Sequence, residues 1–212
     1  LVIRGDGEML DSDQNNPSPF SGSDIKSVVI KDGVTTIGKE CFKNCSSLES
    51  IEIPATVKSI GYGAFYNCTN LKSLAIGSKV TSIEQNAFYN CTNLEDLYVM
   101  DVSAWCNISF YNSDANPMKY ADRIHLLNKD GKEATDVVLD QTATKISDFA
   151  FYGCTELTSI AFSNGVTSIG RYAFYGCTGL KSLSISDSVT TIGDYAFAYT
   201  GITEITLPDS VI

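Results

Sequence analysis

The octapeptide AFYNCTNL occurs twice, at residues 64–71 and 87–94, and the same 23-residue offset governs most of the chain. Ile37, Ile60 and Ile83 form one column, which resumes at Ile146, Ile169 and Ile192. Five residues after each comes Phe42, Phe65, Phe88, Phe151, Phe174 or Phe197, and three further on Cys45, Cys68, Cys91, Cys154 and Cys177, with Thr200 in the sixth slot. Leu48, Leu71, Leu94, Leu157 and Leu180 then lead into L-x-x-L-x-I stretches such as Leu71, Leu74 and Ile76. Period-two alternation there predicts one short strand per unit. The stretch between isoleucine and cysteine is too short for a free helix, but is adequate for one helical or 3₁₀ turn packed by its phenylalanine. A unit this small cannot bury its own apolar face, so units must stack, and in parallel register each column becomes a ladder. The slot before the cysteine holds Asn44, Asn67, Asn90, Gly153 or Gly176. Asparagine and glycine share a tolerance for positive φ, so the slot reads as a left-handed turn residue rather than a glycan acceptor, despite the N-C-S/T sequence.

The units, such as VTSIGRYAFYGCTGLKSLSI from Val166, resemble the BspA-like, or treponemal-type, leucine-rich repeat. Six units in register carry the resemblance, over about residues 25–99 and 134–211. It implies an α/β repeat fold: a right-handed leucine-rich-repeat solenoid of 23-residue repeats, with a parallel β-sheet on the concave face and short helical or 3-10 turns on the convex face. It also implies a secreted or cell-surface protein of bacteria, commonly host-associated anaerobes, or of certain parasitic protozoa, with adhesion to host proteins or neighbouring cells as the usual proposed role. No catalytic residue comes with the resemblance, so a non-enzymatic module is expected. The alternative is a structural spacer that presents another domain of a longer surface protein.

Two segments break the pattern. Residues 1–24 carry LVIRGDGEML, two apolar runs about Gly5-Asp6-Gly7, and are expected to form a β-hairpin cap on the open end of the stack. Between the repeats of 25–99 and those of 134–212 lies an irregular insert, 100–133, which adds 17 residues between the matching positions Val99 and Leu139. It contains the only tryptophan, Trp105, and the only histidine, His125, and its Asp130-Gly131 signals a tight hairpin. The W-C-N-I core and Asn116-Pro117 turn of this insert resemble inserts in the same family. A chain that starts at Leu1 and ends at LPDSVI, where another V-T-x-I-G would begin, is expected to be a truncated piece of a longer protein.

A net charge of −10, spread along the chain without a Lys/Arg cluster, argues against nucleic acid or an anionic membrane surface as partner. No apolar run is long enough to span a bilayer, so no membrane insertion is expected of this stretch. Seven cysteines invite a disulfide framework, yet ladder side chains point the same way and five of them pair badly, so buried free thiols are favoured. Metal and cofactors are not expected: there is no C-x-x-C, and one histidine is too few for a zinc cluster. DSDQNN places Asp11, Asp13 and Asn15 like the start of a calcium loop, but the twelfth position is Gly22 rather than glutamate. Cys106 with His125 lacks an orienting acid or oxyanion site that would make it catalytic.

Binding remains. The third strand positions (Ser27, Ser50, Ser73, Asp96, Asp136, Ser159, Ser182, Glu204) and the fifth (Val29, Glu52, Ala75, Tyr98, Val138, Ala161, Ser184, Thr206) should face outward from the concave sheet. Most are small. Tyr98 stands out, and alternation in the insert puts Arg123 and His125 beside it. The expected ligand-binding set is Tyr98, Asp96, Arg123 and His125, with Glu52 and Val138, and the expected ligand is a protein such as a host extracellular or mucosal one. The chain itself is expected to be a monomer. A further column, Tyr66, Tyr89, Tyr152 and Tyr175, should cover the convex turns.

Overall fold

The computed structural model describes residues 1–12 and 15–212; the comparison with a calcium loop falls partly on Asp13, outside the described residues. In the first half, β1 (Val2–Ile3), β2 (Gly7–Glu8), β3 (Ser27–Ile30), β4 (Val34–Ile37), β5 (Ser50–Ile53), β6 (Ser59–Ile60), β7 (Ser73–Ile76), β8 (Ser82–Ile83) and β9 (Asp96–Val99) alternate between two sheets. The insert follows with helix α1 (Val102–Trp105), β10 (Ser109–Phe110), 3₁₀ turns at Ser113–Ala115 and Pro117–Lys119, and β11 (Arg123–Leu126). The second half contributes β12 (Asp136–Val138), β13 (Ser159–Ala161), β14 (Ser168–Ile169), β15 (Ser182–Ser184) and β16 (Thr191–Ile192). Every ladder between these strands is parallel.

The wide sheet runs β1-β3-β5-β7-β9-β11 and a narrower one runs β10-β8-β6-β4-β2, while β12-β13-β15 and β14-β16 continue the two faces in the second half. The chain is thus a parallel solenoid with repeats of 23 residues, as in the register Ser27↔Ser50↔Ser73↔Asp96. Each coil carries two strands rather than one. The second is the V-T-x-I stretch, whose β-branched residues suit a pleated, half-buried surface.

Between the sheets the columns are buried. Phe42, Phe65, Phe88, Phe151 and Phe174 are sealed from solvent and stack with ring centres 5.1–5.3 Å apart within each half. The wall that joins the two strands of a coil is not helical. It is a run of tight turns, in which Cys41 N–H bonds to Gly38 O and Lys43 N–H to Glu40 O, while Glu40, Phe42 and Asn44 N–H reach Tyr62, Ala64 and Tyr66 O of the next coil. Donors therefore alternate between turn and neighbouring coil, which an i→i−4 helix forbids. Two left-handed residues per coil make this possible. One column is Asn44, Asn67, Asn90, Gly153, Gly176 and Tyr199; the other, not foreseen from the sequence, is Glu40, Gly63, Asn86, Phe149, Tyr172 and Tyr195. Among the described residues, the one α-helix and both 3₁₀ turns lie in the insert.

The amino-terminal segment is not a hairpin. β1 pairs with β3 in one sheet and β2 pairs with β4 in the other, so the two runs about Gly5-Asp6-Gly7 are successive sides of one more coil. The reason is reach: the first run extends the wide sheet and the second, through a register shift, the narrow one, so each two-residue run joins a larger sheet where a hairpin would have only two strands.

The insert makes one longer coil and then a reset. Arg123 pairs with Asp96 across 27 residues, the surplus being absorbed by α1, capped by Asp101, and by the 3₁₀ turns, capped by Asn112 and Asn116. A tight turn at Asn128–Lys132 with an isolated antiparallel bridge, Leu127↔Glu133, then returns the chain to β12. The Asp130-Gly131 hairpin is thus reduced to one bridge, because β12 takes its ladder from β13 rather than from β11. At this break side chains replace much of the ladder. Trp105 Nε1–H donates to Ala150 O at 2.6 Å, Asn116 Nδ2–H to Phe149 O at 2.6 Å and Asn107 Nδ2–H to Thr142 O at 2.8 Å. Ala150 O occupies the column that accepts a phenylalanine N–H in regular coils, as Ala64 O does from Phe42.

Candidate functional site

Alternation along the wide sheet sorts its residues cleanly: Val28, Ile51, Leu74, Leu97 and Ile124 point into the core, and their neighbours form two outward rows. One row is Ser27, Ser50, Ser73, Asp96, Arg123. The other is Val29, Glu52, Ala75, Tyr98, His125. Over β3, β5 and β7 these rows are small or aliphatic apart from Glu52, and at β9 and β11 they become aromatic and charged.

There the side chains lock together. Arg123 clamps Asp96 with two bonds, Nε to Oδ1 and Nη2 to Oδ2, both 2.7 Å. His125 Nε2 lies 2.9 Å from Asp96 Oδ1 and its Nδ1 lies 3.0 Å from Glu133 Oε1. The imidazole also stacks on Tyr98, with ring centres 4.4 Å apart and planes within 9°. A neutral imidazole has one N–H and one lone pair, so it cannot donate to two carboxylates, whereas the cation can. Accordingly, the bond to Asp96 raises the His125 pKa above its ordinary value against the desolvation of the ring, and Glu133 adds to the rise. Asp96 is held below the usual carboxylate range, first by Arg123 and then by His125.

Four of the expected ligand-binding residues, Tyr98, Asp96, Arg123 and His125, are therefore brought into one cluster. Glu52 is on the same outward row two strands away and borders, with Ala75 and Tyr98, a shallow depression on the sheet. Val138 does not join them. It is 77% exposed on β12, the first strand of the separate three-stranded sheet, because the ladder is interrupted between β11 and β12. Glu133 was missed by sequence reasoning. The signal was the Asp130-Gly131 turn, which carries the residue just beyond it back toward β11.

The thiols are placed differently. All seven cysteines are free and buried. Ladder thiols donate to the phenylalanine carbonyl one coil back: Cys68 to Phe42 O at 3.1 Å, Cys91 to Phe65 O at 3.3 Å and Cys177 to Phe151 O at 3.0 Å. Burial pushes Cys91 and Cys154 up to about 12. Cys106 is buried with its thiol on Val102 O at 3.2 Å, while both nitrogens of His125 face carboxylates, so these two residues are not joined. Among the described residues, no His/Cys/Asp/Glu group is arranged to hold a metal ion, and no helix is long and apolar enough to cross a membrane.

A family model, the BspA type leucine rich repeat region, matches residues 16–131 and 129–212. No curated protein matches the sequence. Among solved structures the chain is similar to the pneumococcal vaccine antigen PcpA, at 22% identity with a TM-score of 0.57, over 96% of this chain and 55% of that one. It is also similar to the Treponema pallidum leucine-rich repeat protein TpLRR, at 24% identity with a TM-score of 0.54, over 89% and 78% of the two chains. A leucine-rich cell-surface protein from Faecalibacterium prausnitzii shares 30% identity over 84% of this chain and 38% of its own, with a TM-score of 0.43. The chain thus spans from under two fifths to just over half of the length of the PcpA and Faecalibacterium structures.

Proposed function

The chain belongs to the BspA-type leucine-rich repeat family, and from that premise we propose that it is a non-enzymatic binding module, displayed outside the cell or on its surface, that takes a protein partner on its wide sheet. The partner class is a host extracellular or mucosal protein. The observation that carries this reading is the cluster of Tyr98, His125, Arg123 and Asp96 at the end of a sheet whose other outward residues are mostly small. Tyrosine and arginine are the residue types that dominate interface energetics, and a ring stacked on its neighbour and a clamped guanidinium lose little conformational entropy on binding. The cell-surface assignment of the Faecalibacterium protein supports the location.

Immobilised extracellular-matrix proteins and purified mucin are the probes. The Tyr98→Ala/His125→Ala double variant, folded by circular dichroism, is expected to lose about 2 kcal/mol or more of the binding shown by the parent protein. Equal binding by parent and variant would remove the site from this cluster. Absence of binding by the parent to either probe would leave the spacer role, a solenoid that holds another domain away from the cell wall, as the better reading.

A further inference from the structure

Outside the wide sheet, the turn-built wall of the second half carries a surface the first half lacks. One of its left-handed columns holds Phe149, Tyr172 and Tyr195 where the first half has Glu40, Gly63 and Asn86, and the other ends in Tyr199 after Gly153 and Gly176. Phe149, Tyr172 and Tyr195 stack in one file, with ring centres 5.5 and 5.1 Å apart and planes within 9°. Tyr152, Tyr175 and Tyr199 form a second file at 5.1 and 5.0 Å, and Tyr172 meets Tyr175 edge-on at 5.6 Å. Tyr195 is 62% exposed and Tyr199 72%. Left-handed backbone costs a bulky L-residue roughly 1–2 kcal/mol, so the core gives no reason to place aromatics here. The solvent-facing file must be accounted for by its own stacking and by what it presents.

The molecule itself shows what such rings take. Lys39 lies 5.6 Å above the Tyr62 ring, Lys43 5.9 Å above Tyr66 and Arg171 5.8 Å above Tyr172. Among the described residues, no lysine or arginine covers Tyr152, Tyr175, Tyr195 or Tyr199. The surrounding charge points the same way: residues 134–212 contain three basic and eight acidic residues, and Asp148 and Asp194 flank the files beside Arg171. Electron-rich rings in a negative field attract guanidinium and ammonium groups.

We propose that this six-ring surface is a second interaction site, distinct from the Tyr98 cluster, and that it docks a lysine- and arginine-rich segment of a partner protein. Its rings supply the contact and its acidic rim the steering. The test uses the protein as it is, with a fluorescent peptide alternating arginine and glycine as probe and a serine–glycine peptide as control. At physiological salt the arginine peptide is expected to bind, the control not to bind, and the Tyr195→Leu/Tyr199→Leu variant to bind about tenfold more weakly with unchanged circular dichroism. Because that variant could lose folded structure, tyrosine ring resonances of the unmodified protein are followed during the same titration. Shifts concentrated at Tyr152, Tyr172, Tyr175, Tyr195 and Tyr199 support the site. No binding of the arginine peptide, equal binding of the control, undiminished affinity in a folded variant, or shifts confined to Tyr62, Tyr66 and Tyr89 would each overturn it.

Discussion

At the scale of single residues, the repeated cysteine is a packing and hydrogen-bonding unit. Its side chain fills a slot sealed from water, and its weak S–H donor goes to a carbonyl of the previous coil, where Cys68 and Phe42 O are 3.1 Å apart. Burial holds Cys91 and Cys154 at about 12, so almost no thiolate exists at neutral pH, and the thiolate is the reactive species. In the native protein a maleimide or thiol-exchange reagent is therefore expected to label none of the seven within minutes, and all seven after denaturation. Recovery of Cys45–Cys68 or Cys154–Cys177 as a linked peptide from protein denatured in alkylating reagent would contradict the free ladder.

At the scale of elements, the turn after β11 is fastened by one imidazole. Glu133 sits at the isolated bridge opposite Leu127 and reaches His125, which also reaches Asp96 beside Arg123 and stacks on Tyr98. The sign of the pH dependence follows. His125 titrates above its ordinary value in the folded protein, so its contribution is complete below about pH 6.5 and is lost as pH rises through the higher folded value. Asp96 titrates below its ordinary value, so its contribution is complete above about pH 4 and is lost in more acidic solution. The turn is thus held best between those limits. Hydrogen exchange at the Ala134 N–H, which bonds to Leu126 O, corrected for intrinsic rates, is expected to show protection falling from pH 6 to pH 8.5, and the fall is expected to vanish in His125→Gln. Equal protection across that range in the parent would refute the fastening.

At the scale of the whole molecule, stability is a sum of coils and the contacts between neighbouring coils, and the weakest contact should be the junction of the insert with the second half. Backbone ladders give way there to Trp105, Asn107 and Asn116, and among the described residues the main-chain links across the junction are Ser147 N–H to Cys106 O and, at the returning turn, Ala134 N–H to Leu126 O. Asn116 is fully buried, and it also caps its own 3₁₀ turn by accepting from Met118 N–H at 2.9 Å. Removing it leaves buried backbone groups without partners, at about 1–3 kcal/mol each. Trp105→Phe combined with Asn116→Ala is expected to split thermal unfolding into two transitions, the earlier belonging to residues 134–212, whose sheets have three and two strands against six and five. A single calorimetric transition at the parent temperature would show that the halves are coupled elsewhere.

What the sequence determined by itself is the stack. A strict 23-residue recurrence of Ile, Phe, Cys and Leu allows one register, because any other would set core residues against turns, and the asparagine–glycine column already identified one left-handed slot. Alternation likewise placed Tyr98, Arg123 and His125 on one outward face. Periodicity is silent wherever the chain leaves its period. The second strand of each coil, V-T-x-I, was not foreseen because its ladder partners exist only in other coils, and the amino-terminal runs looked like a hairpin because local sequence cannot choose between a partner seven residues away and one 27 away. The tertiary structure alone decided that a 27-residue coil sets Arg123 opposite Asp96, that Glu133 closes the second side of His125, and that the sheet breaks before Val138. It also decided that Phe149 and Tyr172 accept left-handed backbone, since the coil above supplies both the hydrogen bond and the stacked ring that offset its cost.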